Sequence, residues 1–138
     1  MIVEEFDIGK QFIDNNELIF DCELPFPTIK TIHSYEDLGT CTCVFDNDSN
    51  VTSVIIAISD KYNFTKTQFN DVLLHEMIHY YLAWTKKDTN LSHGREFKKM
   101  MKEINQKFGT NIDIVTNASK LERINQKSSF LDKLFSLF

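Results

Sequence analysis

The 138-residue sequence predicts a single α+β domain, and three observations predict it. An amphipathic helical pattern opens the chain. A stretch rich in Thr, Ile, Val and Cys follows over residues 28–59, where side chains suited to strands concentrate. Two further helical patterns then run over residues 65–85 and from about 92 to 109. At 42% hydrophobic and 25% charged residues the composition is that of a globular protein, and a chain of this size can bury a core without disulfides.

In the first pattern, Val3, Phe6, Phe12 and Ile13 are spaced for an amphipathic helix over residues 2–15, with Gly9 inside it. Pro25 and Pro27 then stop any regular element, because proline lacks a donor and restrains its predecessor. Three strands are expected at about 28–35, 38–46 and 51–59, the last two joined through the turn cluster Asp46-Asn47-Asp48-Ser49-Asn50. They make a small sheet of three or four strands, mixed or antiparallel. Thr65-Lys66-Thr67-Gln68 has the form of a capping box, which starts a helix. That helix is apolar on nearly every side, the mark of a buried one, so its few polar residues stand out. The last helix carries a stripe of Phe97, Met100/Met101, Ile104 and Phe108, and Gly109 stands where a C-terminal glycine belongs.

Several classes are excluded. The longest aliphatic run, Val54 to Ile58, is far short of the ~20 residues that cross a bilayer, so no membrane association is expected. The acidic start Glu4-Glu5-Phe6-Asp7 is unlike a secretory leader. Cys22, Cys41 and Cys43 form an odd set without a C-x-x-C pair, which suits reduced thiols and a cytoplasmic location. Cys41 and Cys43 would share one strand face as small buried side chains. Charge is uneven: residues 1–60 hold 12 acids and two bases, whereas residues 61–138 hold 8 acids and 13 bases. The net of −5 is not that of a nucleic-acid binder, although the second half can present a positive face.

The chemistry lies in His75-Glu76-Met77-Ile78-His79, an H-E-x-x-H motif that arises by chance in under about 1% of such sequences. Helix positions i and i+4 differ by about 40° in azimuth, so both imidazoles leave one face, one turn apart. Two nitrogens so placed can hold a zinc ion, while Glu76 is free to hold and deprotonate a water. A catalytic zinc needs a third protein ligand. The extended H-E-x-x-H-x-x-G-x-x-H pattern fails, because Leu82 occupies the glycine position and Thr85 the last histidine. His93, 14 residues after His79, ranks first, ahead of the carboxylates Glu96 and Glu103; His33 reads as a surface histidine.

The segment Leu73 to His79, followed by His93-Gly94-Arg95-Glu96-Phe97, resembles the SprT-like family, which includes the Spartan proteases. Phe12-Ile13-Asp14-Asn15, Phe20-Asp21, Leu24-Pro25, Leu38-Gly39, Ile56 to Ser59 and Ile104-Asn105 with Gly109 extend the likeness over about residues 5–115. The resemblance implies a zincin-like domain over residues 1–115 that holds one catalytic Zn²⁺ through His75, His79 and His93, with Glu76 as acid/base. It also implies a metallopeptidase acting on proteins or peptides, with DNA as a further partner; the alternative is a metal-binding, nucleic-acid-associated module with little proteolysis. Residues 116–138 lack the cysteines of the zinc ribbon that many relatives carry there. This tail reads as a polar linker, then an amphipathic helix from about 128. The oligomeric state is not legible.

Overall fold

The computed structural model describes residues 1–114 and 121–124. The helix expected from about 128 lies outside the described residues. Helix α1 spans Glu5–Ile19 and is entered where the Glu4 N–H donates to Asp7 Oδ2 at 2.9 Å. Its buried side is Ile8, Phe12 and Asn15. Val3 is buried ahead of the helix, while Phe6 (75%) and Ile13 (55%) face outward, against the stripe expected from the sequence. The reason is rotational: at about 100° per residue, Phe6 falls nearly opposite Ile8, and Ile13 a quarter turn from Phe12. After α1 the chain turns through Asp21 and Cys22, and Asn16 secures the turn by bonding both the N–H and the carbonyl of Leu24.

Strands β1 (Thr28–Ile32), β2 (Gly39–Phe45) and β3 (Val51–Ser59) form a mixed sheet in the order β1-β3-β2. β1 runs parallel to β3 and β2 antiparallel to it. β1 stops three residues before the expected end because the Ser34 hydroxyl accepts the N–H groups of Glu36 and Asp37, which turns the chain away. The β2–β3 turn is held by the Asp46 carboxylate, which accepts from the backbone of Asp48 and Asn50 and from the Asn50 amide. Tyr62–Asn63 (β4) pairs with Glu122–Arg123 (β5), a return of the chain that no sequence pattern marks.

Helix α2 (Lys66–Trp84) starts as expected: Gln68 N–H donates to Thr65 Oγ1 and the Thr65 N–H to Gln68 Oε1. It packs on β2 and β3 and against α1 and α3, which is why it is apolar all round. Tyr80 turns its hydroxyl to the Pro25 carbonyl at 2.8 Å, tying α2 to the proline segment. Helix α3 (Arg95–Phe108) buries Phe97, Met101 and Ile104 and ends at Gly109, whose φ of 68° is a left-handed cap. Among the described residues no helix is long and apolar enough to cross a membrane.

Gly39 opens β2 directly against α2. A Cβ there would lie 3.0 Å from Val72 Cγ1, 3.1 Å from Ile58 Cδ1 and 3.2 Å from Glu76 Cγ. Gly39→Ala should therefore cost about 1–3 kcal/mol in denaturant unfolding, through overpacking between sheet and helix. Unchanged stability would show that β2 and α2 are not so closely apposed.

Candidate metal centre

The spacing of His75 and His79 on α2 places both rings on one side of that helix, and they lie with centroids 5.0 Å apart. The loop from Thr85 to Gly94 then returns the chain across that side. Its shape is set by the Asp88 carboxylate, which accepts from the Asn90 N–H, the Ser92 N–H and the Ser92 hydroxyl. His93, at the end of the loop, brings its Nε2 to 3.1 Å from His75 Nε2 and 3.1 Å from His79 Nε2. Phe97, in the first turn of α3 and fully buried, packs against all three rings at centroid distances of 4.6–5.0 Å.

Among the described residues these three histidines are the only group of His, Cys, Asp or Glu able to hold a metal together. Glu96 and Glu103, the alternative third ligands, do not join them. His33 stays at the surface, 2.6 Å from the Asp60 carboxylate. Cys41 and Cys43 do share a strand face, with sulfurs 3.9 Å apart, but both are half-buried and Cys22 is exposed. Tyr80 gives its hydroxyl to the Pro25 carbonyl, and Tyr81 packs on Phe20.

The donor set suits a cation. Nitrogens about 2.0–2.1 Å from a tetrahedral ion sit about 3.3 Å from one another, close to the separations seen here. Without an ion, three imidazole nitrogens facing one point cannot all be satisfied, since one N–H can serve only one neighbour. Burial, together with the neighbouring rings, holds His79 down at about 4, and burial also lowers His75. Both are therefore neutral at pH 7, with lone pairs available to a metal. His75 Nδ1 lies 2.7 Å from the main-chain oxygen of Asp113, which assigns the proton to Nδ1 and the lone pair to Nε2. His79 Nδ1 is buried without a partner among the described residues.

Glu76 is 5% exposed, and its Cγ lies against Gly39. Burial, reinforced by the Asp37 carboxylate, pushes it up to about 8. A cleft of about 510 Å³ is lined by Leu38, Asp71, Val72, Asp113 and Leu121 among others, but by neither Glu76 nor the three histidines. Sequence reasoning missed the Asp113 carbonyl, because a main-chain acceptor has no side-chain signature.

The sign of the Glu76 effect on the metal-free fold can be measured. A folded-state value raised above the unfolded one gives stability that is full below about pH 4.5 and lost as pH rises through about 8. Glu76→Gln should therefore raise the thermal midpoint of the metal-free protein at pH 8, relative to the parent. The gain should shrink toward pH 4.5; a gain independent of pH would contradict a desolvated carboxyl.

The family model described as SprT-like matches residues 9–117 of the chain. No curated protein matches it. That match covers α2 with its two histidines, the loop that carries His93, α3, and the sheet against which α2 packs. With most of its length matched, the chain belongs to the SprT-like family.

Proposed function

We propose that the chain is a zinc-dependent metallopeptidase with a zincin-like fold that hydrolyses peptide bonds in protein substrates. The observation that carries this reading is the convergence of His75, His79 and His93 beside Glu76, whose carboxyl bonds none of them. When bound there, zinc would supply Lewis-acid polarisation of a carbonyl and would acidify a water. The Glu76 carboxylate takes a proton from the attacking water as its oxygen adds to the carbonyl carbon. The same carboxyl then returns that proton to the amine nitrogen as the C–N bond breaks.

The sheet supplies a means of binding substrate. Among the described residues β2 pairs with β3 alone, and its other edge offers main-chain donors and acceptors to an extended peptide. That edge begins at Gly39, against Glu76, so a peptide added to it would run past the carboxyl. The cleft lined by Leu38, just ahead of β2, has room for a side chain.

A second reading, binding to DNA with little proteolysis, is favoured by one observation. Arg95, Lys98, Lys99, Lys102 and Lys107 are all exposed on α3, outside its buried stripe. In this reading the histidine centre is structural and the basic face meets phosphates.

Zinc-loaded protein should cleave unfolded polypeptide, and Glu76→Gln should retain the zinc while losing activity by at least about a hundredfold. Parent protein inactive on unfolded, DNA-bound and self substrates, or a Glu76→Gln variant that still cleaves, would overturn the peptidase. DNA affinity that falls steeply with salt, and falls further when Lys98 and Lys102 become Ala, would support the basic face; no binding at low salt would remove it.

A further inference from the structure

We propose that Asn105, on α3, is a positioning residue for the metal centre: it builds the loop whose carbonyl orients His75. The inference rests on the metal-centre reading and adds to it a residue outside the ligand set.

After Gly109 closes α3, residues 110–113 fold back toward α2, and one side chain holds most of that return. Asn105 Oδ1 accepts the Ile112 N–H at 2.8 Å and the Thr110 hydroxyl at 2.8 Å. Asn105 Nδ2 donates to the Ile112 carbonyl at 3.0 Å. The amide thus engages both main-chain groups of Ile112, as a neighbouring strand would, and fixes that peptide in position and in rotation. The Ile112 side chain is buried, and the Asn111 N–H donates to Asp71 Oδ1 at 3.1 Å. Asp71 lies one helical turn before His75, so the loop is pinned to α2 immediately beside the ring it serves. The next residue, Asp113, presents its carbonyl oxygen 2.7 Å from His75 Nδ1.

The consequence follows from tautomer chemistry. An imidazole binds a metal through one nitrogen only when its proton sits on the other, and an acceptor at Nδ1 stabilises that arrangement and fixes the ring plane. The acceptor here is a backbone oxygen on an irregular loop, so its place depends on whatever holds the loop. Asn105 is half-buried on the flank of α3, and among the described residues its side-chain hydrogen bonds all go to that loop and none to the three rings. An amide supplies both the acceptor and the donor this requires. A carboxylate at 105 would set an acceptor against the Ile112 carbonyl, and alanine would supply neither.

The test is zinc affinity by chelator competition, together with nitrogen NMR of the imidazoles. Asn105→Ala should weaken zinc binding by about tenfold or more, the usual cost of losing an outer-shell partner. The His75 Nδ1 proton should also exchange faster with water, in both metal-free and zinc-bound protein. Thr110→Val, which removes one bond of the set, should shift both readouts in the same direction by less; it decides the matter if Asn105→Ala does not fold. Zinc affinity within about twofold of the parent with an unchanged Nδ1 proton would overturn the proposal, even if the thermal midpoint falls. Parent protein that binds no zinc would instead overturn the metal-centre reading, and the Nδ1 proton would still report on Asn105.

Discussion

The proposed chemistry depends on three imidazole nitrogens gathered by α2 and the loop that follows it, with His93 Nε2 3.1 Å from each of the other two. Nitrogen lone pairs do not gather in this way without a cation or protons to share, and burial works against protons on His75 and His79. The fold supplies the constraint from several directions. α2 fixes two rings by helical repeat, the Asp88-centred loop delivers the third, and Phe97 packs against all of them. The Asp113 carbonyl sets the tautomer of one ring.

The sheet's part is less visible and as important. β2 and β3 pack on α2, so that Glu76 lies against Gly39 rather than in solvent. A buried carboxyl without an ionic partner resists ionisation. A cation held by the three histidines would favour the charged form, as any nearby positive charge does. Metal and carboxyl would then be coupled electrostatically.

Much of this was legible in the chain itself. The α2 cap, the apolar circumference of α2, the Gly109 terminator and the i, i+4 histidines are local patterns, and local patterns survive translation into structure. His93 was accessible for a related reason: the loop preceding it is short, and the number of histidines is small. What was not legible is what depends on distant partners. Phe6 and Ile13 read as buried because spacing alone does not say which of two adjacent faces meets the core. β5 was hidden because a two-residue ladder has no periodicity. The mixed rather than antiparallel arrangement of the sheet rests on the pairing of β1 with β3, which sequence order does not reveal.

The most direct measurement is the zinc content of purified protein beside that of a His93→Ala variant, after identical dialysis against a weak chelator. The parent should hold one zinc per chain, and the variant should lose most of it while keeping its far-ultraviolet circular dichroism. A variant that retains zinc as tightly as the parent, or a parent that holds none, would contradict the convergence of three rings on one ion.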